Sequence, residues 1–294
     1  MLCSLSNNAN ETKPFYDNIC RQQVTPATPA MSTGSPKIEL LQAEVDEETE
    51  SYFRLLIDEK TVKYITVAAG VYDTDDMCFG PQLVQILPRL PPGDWNTGHV
   101  DKRTEDNEPI FTRTERLDYP SIQNTWHAVR WDHLDLTFSR YLRTGVYEVK
   151  SPKLHLPAVA KFARFDWEIP AHDRETAVYQ WIEGRDVGPK FLGHLVEEGR
   201  VIGFLMSQVP NARRHANIDD LKACQTSLEK VHGLEILHGD INKHNFLMTG
   251  SDVTIIDFAE AKRCNDRRVL GEEMQGLRAS LLDESGIGGR IVLE

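Results

Sequence analysis

The stretch ILHGDINKHNFLMTGSDVTIIDF, residues 236–258, gathers the side chains best suited to chemistry. His238-Gly239-Asp240 is followed by Asn245, five residues after the aspartate. Thr249-Gly250-Ser251-Asp252 predicts the turn of a hairpin that carries the chain back to Asp257-Phe258. Such a hairpin places Asp257 beside the loop of Asp240 and Asn245. Two carboxylates and an amide oxygen make a hard oxygen set, suited to Mg2+ carrying phosphate oxygens. A carboxylate not spent on metal can accept the proton of an incoming hydroxyl. Clamped metal and a positioned nucleophile are what phosphoryl transfer needs. His238 reads as a structural residue that hydrogen-bonds nearby backbone.

The pattern resembles the protein-kinase-like superfamily, in its catalytic loop, H-x-D with Asn at the fifth position, and in the D-F segment. HGD is similar to the compact atypical branches: the aminoglycoside phosphotransferases, the lipopolysaccharide-core kinases and the small kinase of the KEOPS tRNA-modification complex. The resemblance implies ATP and Mg2+ as cofactors, Asp240 as the catalytic aspartate, and Asn245 and Asp257 as metal ligands. It implies a strand lysine on the α- and β-phosphates, which AVAK supplies as Lys161, and a helix glutamate to pair with it, which HDRETAVY supplies as Glu175. It also implies an adenine-reading hinge in GFLMSQVP, with Met206 as gatekeeper and Gln208 and Val209 as contacts. Gly145, in RYLRTGVYEV, stands where a loop covers the phosphates. The resemblance spans about residues 132–262. Taken alone, Lys161 reads as a strand-edge lysine and Glu175 as a solvated helix residue; the order of the set gives them their roles.

Several positions depart from the superfamily pattern. The phosphate loop has one glycine where protein kinases have three, so backbone approach to phosphate is less assured. Ala259 follows Asp257-Phe258 in place of glycine, and Asn242 stands where Ser/Thr kinases often have lysine. No A-P-E segment occurs in residues 258–294. These features argue against an ordinary protein kinase and motivate a rival, a pseudokinase serving as a nucleotide-binding or scaffolding module. A glycoside hydrolase of the α-galactosidase kind would need paired carboxylates, but no repeated βα pattern supplies a TIM barrel.

The elements that must position these residues follow from periodicity and punctuation. Residues 1–45, with Pro14, Pro26, Pro29 and Pro36 among small polar residues, read as a disordered segment. SYFRLLID and TVKYITVAA alternate and predict a hairpin within a β-rich extension, 46–131. Pro81 opens a short helix, residues 90–109 read as loop, and 110–119 and 122–131 as strands. A kinase-like domain over 132–294 follows, its small lobe running to about 209 and a truncated large lobe after it. Within it the sequence predicts two strands joined at Thr144-Gly145, a strand in LPAVAKFARF, a helix opened by Pro170 and closed by Gly184, and the strand RVIGFLMSQV. A helix capped by Asn217, the hairpin and a final helix complete it. Arg213-Arg214-His215 reads as a solvated loop, with substrate phosphate as the alternative. The fold class is therefore α+β, a protein-kinase-like two-lobe fold with a β-rich N-terminal extension.

Composition narrows the rest. The chain has 294 residues, 45 acidic against 33 basic, for a net charge of −12. Such a surface repels phosphate backbones and anionic membranes, so no direct nucleic-acid or membrane partner is expected. Five scattered cysteines, none in C-x-x-C spacing, suit a reducing compartment, the cytoplasm or the nucleus. The first residues show neither basic start nor apolar core, so secretion is not expected. The acceptor, whether protein or small molecule, and the oligomeric state are not encoded in any motif.

Overall fold

The computed structural model describes residues 36–209 and 214–285. It is a mixed α+β structure with several sheets and, among the described residues, five α-helices. Two compact units divide between Asp118 and Tyr119.

The first unit is built on a five-stranded sheet of order β1-β2-β3-β4-β5. Its elements are β1 (Ile38–Glu44), β2 (Ser51–Ile57), β3 (Thr61–Val67), α1 (Thr74–Cys78), α2 (Gly80–Ile86), β4 (Thr97–Lys102) and β5 (Pro109–Glu115). The expected hairpin is β2–β3, turning at Asp58 and Glu59, both at positive φ. Phe53, Leu55, Ile65, Val67, Leu83 and Val100 form its core. Two expectations are corrected here. Residues 38–44 are not disordered: Leu40 packs into this core and the strand pairs along β2. The loop expected over 90–109 contains β4, parallel to β3, because buried Val100 and the tight approach of Gly98 to Phe111 seat it in the sheet. The remainder of residues 1–45, that is 1–35, lies outside the described residues.

The second unit opens with an irregular segment. The strand expected over 122–131 is confined to β6 (Arg130–Asp132). Upstream, the backbone is tied down by other means. Ile122 N–H donates to Val201 O at 2.9 Å, and the Gln123 and Asn124 amides donate to Asp173 Oδ1 at 2.7 and 2.9 Å. Next come β7 (Thr137–Arg143), β8 (Val146–Lys150), β9 (Ala158–Phe162), α3 (Ile169–Ile182), β10 (Phe191–Glu197) and β11 (Arg200–Ser207). These strands form one sheet, ordered β6-β10-β11-β9-β8-β7. β10 escapes the sequence reading because Gly193 and His194 interrupt its apolar run; Gly193 is required where the Trp131 indole lies 2.7 Å from the place of a Cβ.

After β12 (Arg214–His215) come α4 (Leu221–His232), β13 (Ile236–Leu237), β14 (Phe246–Thr249), β15 (Asp252–Ile255), β16 (Lys262–Arg263) and α5 (Arg267–Leu282). β14 and β15 form the expected hairpin, and the Asn217 side chain caps the turn leading into α4. α3, α4, α5 and the hairpin share one apolar cluster with Phe191, Phe204 and Met206 of the large sheet. Among the described residues no helix is long and apolar enough to cross a membrane.

One contact sets the position of Lys161. A Cβ on Gly203 of β11 would lie 2.3 Å from Lys161 O and 2.5 Å from Phe162 Cα. Both neighbours are backbone and cannot give way alone. Gly203→Ala is therefore expected to destabilise the protein by about 1–3 kcal/mol or more, as overpacking does, and to push β9 from its register. Thermal unfolding of the variant beside the parent checks this; an unchanged melting temperature would contradict it.

Candidate active site

β9 presents Lys161, its penultimate residue, buried, and α3 presents Glu175, 1% exposed. Lys161 Nζ lies 2.6 Å from Glu175 Oε2 and 2.6 Å from Asp257 Oδ1. Glu175 also accepts the Phe258 amide through Oε1 at 3.2 Å, which anchors the segment that carries Asp257. Asp257 is held at φ +63°, a conformation that L residues other than Asn and Asp seldom adopt. Burial works against the charge of Asp257, and the Lys161 and Arg143 cations outweigh it, holding the carboxyl well below its usual range.

Asp240 and Asn245 meet in a second cluster. Asn245 Nδ2 donates to Asp240 O and Oδ2, both at 2.9 Å, and Asn242 Nδ2 donates to Asp240 Oδ1 at 2.8 Å. Backbone joins the two clusters. Ile256 N–H donates to Asn245 O at 2.9 Å. His238 Nδ1 accepts from the Asp240 amide at 3.3 Å, so Nε2 is the atom that donates to Ile256 O, at 3.1 Å. The structural part expected of His238 is thus a bridge between the segment before Asp257 and the loop of Asp240.

The remaining expected residues sit apart from these contacts. Gly145 occupies the β7–β8 turn at φ +68°, where a Cβ would meet Phe162 O at 2.8 Å, and its carbonyl accepts the Phe162 amide at 2.9 Å. The glycine is required by its approach to β9. Met206, at the end of β11, accepts the Tyr179 hydroxyl through Sδ at 3.0 Å. Gln208 Nε2 donates to Glu148 Oε2 at 3.0 Å, and Val209 ends the described stretch. Lys243 is turned away, donating to Asp283 O. Arg214 is spent on Asp220, at 2.5 and 2.8 Å, and the loop expected here is corrected: Arg214–His215 is β12, paired antiparallel with β14, while Arg213 lies outside the described residues.

Two residues of the site escape the sequence reading. Arg143 Nη1 lies 2.8 Å from Asp257 Oδ2. The signal for it is its place beside the Thr144-Gly145 turn, across β8 from Lys161: Arg143 pairs with Val146, which pairs with Lys161. Glu273 of α5 accepts the Gly239 amide at 2.6 Å, the His238 amide at 3.2 Å and His232 Nε2 at 2.7 Å. Burial opposes its charge, but these donors together hold its carboxyl below the usual range. It clamps the loop just before Asp240, and nothing in the spacing of EEMQ announces that.

Residues 206–279 match the family model described as lipopolysaccharide core biosynthesis protein (WaaY). The matched segment runs from the end of β11 through α4, the Asp240 loop, the hairpin and Asp257 into α5, and leaves Lys161 and Glu175 outside it. It supports the kinase-like, atypical family that the motifs indicate. A search of the curated proteins finds no match.

Proposed function

We propose that the chain is an ATP- and Mg2+-dependent phosphotransferase with a kinase-like two-lobe active unit, acting on a hydroxyl acceptor. The observation that carries this reading is the convergence of Lys161, Glu175 and Asp257 within 2.6 Å contacts, in the order of the kinase-like superfamily. The large sheet with α3 corresponds to the nucleotide lobe, and α4, the hairpin and α5 to the catalytic lobe.

The residues fit a metal-bound nucleotide. Among the described residues no group of three or more His, Cys, Asp or Glu forms a ready metal cage. Mg2+ takes one or two protein oxygens and completes its shell with phosphate and water, so Asn245 and Asp257 would suffice to hold it. Asn245 commits its amide nitrogen to Asp240, which assigns Oδ1 as its ligand atom. Asp257 supplies a carboxylate kept ionised by its two cations. Bound with the nucleotide, Mg2+ would neutralise charge on the phosphate oxygens. Lys161 holds phosphate while Glu175 fixes its direction. Each Asp240 oxygen accepts one amide hydrogen bond in this structure and keeps a further lone pair, so the carboxylate can orient an acceptor hydroxyl and take its proton. The matched family is described by lipopolysaccharide core biosynthesis, which makes sugar hydroxyls one acceptor class to try.

The pseudokinase reading has one observation in its favour: both oxygens of Asp257 are already engaged by cations. Turnover separates the two. Asp240→Asn is expected to retain Mg·ATP binding and to lose ADP formation by about a hundredfold or more, the scale on which a positioned proton acceptor acts. ADP release is measured for parent and variant with sugar, small-molecule and protein acceptors. A parent no faster than Asp240→Asn across that panel would favour the pseudokinase.

A further inference from the structure

Arg143 is the one cation of the Asp257 cluster that the kinase-like pattern does not account for. It ends β7, at the turn over the site, while Lys161 sits two strands away in the same sheet. The two cations divide Asp257 between them, Lys161 on Oδ1 and Arg143 on Oδ2. Their settings differ. The Lys161 side chain is 9% exposed and pinned by Glu175 as well, whereas the Arg143 side chain is 31% exposed. Arg143 is thus the partner that can leave.

A metal ion bound through Asp257 Oδ2 would share that oxygen with the Arg143 guanidinium, and the two positive charges would repel each other at close range. A guanidinium released there stands at the loop where phosphates would lie. That loop has a single glycine, and Gly145 is taken up by its contact with Phe162. It therefore lacks the backbone approach that a glycine-rich loop offers a phosphate. Guanidinium matches phosphate oxygens as a planar fork, which makes arginine the side chain suited to replace those amides.

We propose that Arg143 is a phosphate-binding residue held in reserve: it caps Asp257 Oδ2 in the arrangement seen here and passes to a phosphate oxygen when metal-bound nucleotide arrives. This rests on the nucleotide reading above. The cap and the phosphate contact are separate claims, and each has its own readout.

The cap is read with metal alone. Mn2+ binding to parent and Arg143→Gln is followed by the loss of the free-ion signal in electron paramagnetic resonance, without nucleotide. The variant is expected to bind Mn2+ at least about tenfold tighter, because a charge-assisted hydrogen bond no longer competes for Asp257. Equal affinities overturn the cap. The phosphate contact is read where no cap exists, in the Asp257→Asn background, by calorimetry with ATP in EDTA. Adding Arg143→Gln there is expected to weaken ATP at least about tenfold and leave adenosine unchanged. Equal ATP affinities overturn the phosphate contact. Arg143→Lys keeps the charge without the fork and is expected to shift both readouts in the same directions by less, which covers the case of a glutamine variant that fails to fold. If parent and variants bind neither ATP nor adenosine under any condition, the nucleotide reading falls and takes this proposal with it. Adenosine binding with ATP indifferent to Arg143 sinks this proposal alone.

Discussion

Lys161→Met is expected to weaken Mg·ATP binding by about 10- to 100-fold, the loss that follows removal of a charge-assisted contact to phosphate. The side chain it replaces touches two buried carboxylates at 2.6 Å. Removing one partner of a buried pair leaves the other charged and desolvated, so the variant should also lose about 3–5 kcal/mol of stability. Glu175 carries most of that cost, since Asp257 keeps Arg143. The double variant Lys161→Met/Glu175→Gln should recover much of the stability and none of the nucleotide affinity. Stability and binding move together in the single variant and separate in the double one, which distinguishes a nucleotide lysine from a purely structural one. Chemical denaturation and calorimetry on the three proteins make the comparison. Parent-like Mg·ATP affinity in Lys161→Met would show that Lys161 holds no phosphate.

Asp257→Asn should abolish the Mg2+ dependence of nucleotide binding and, with it, turnover. This differs from Asp240→Asn, which is expected to spare binding. Loss of a transition-state interaction lowers turnover alone, whereas loss of a metal ligand also removes the metal's share of the ground-state complex and leaves the weaker, metal-free binding of nucleotide. The stability change should be modest, about 1–3 kcal/mol, because Lys161 retains Glu175 and Arg143 can turn to solvent. The variant should also alter acid behaviour. A carboxyl held below its ordinary value lends stability that is complete above the unfolded value, about 3.9 for aspartate, and is lost as pH falls through the lower folded value. Asp257 is such a group, held down by Lys161 and Arg143 against burial. Below about pH 4 the parent should therefore lose more stability than Asp257→Asn. Asp257→Asn that binds ATP with undiminished Mg2+ dependence would remove Asp257 from the metal site.

The parts of the site legible in the sequence are those encoded by local pattern. Asp240, Asn245 and Asp257 fall in one stretch of 23 residues with a hairpin turn inside it. Lys161 and Glu175 follow from the order of elements, and the structure brings Lys161 to Asp257 and Glu175 to Lys161. Arg143 was not legible because its partner lies 114 residues away and only the β7–β8 turn aims it there. Glu273 likewise acts on backbone amides, which no residue type advertises. Two of the strands that went unseen share a cause. β4 and β10 contain Gly98 and Gly193, which read as breakers but serve close packing against Phe111 and Trp131. β1 lay next to a proline-rich polar stretch whose composition masked a short buried pattern centred on Leu40 and Gln42.

The central claim is that this cluster of carboxylates, amide and lysine binds a metal-bound nucleotide. Titration calorimetry of the parent chain with ATP, once in excess Mg2+ and once in EDTA, tests it most directly. The account predicts saturable binding at a single site in Mg2+ and marked weakening in EDTA, since Asn245 and Asp257 otherwise lack the ion that joins them to phosphate. No saturable binding at millimolar Mg·ATP, or an affinity indifferent to the metal, would contradict it.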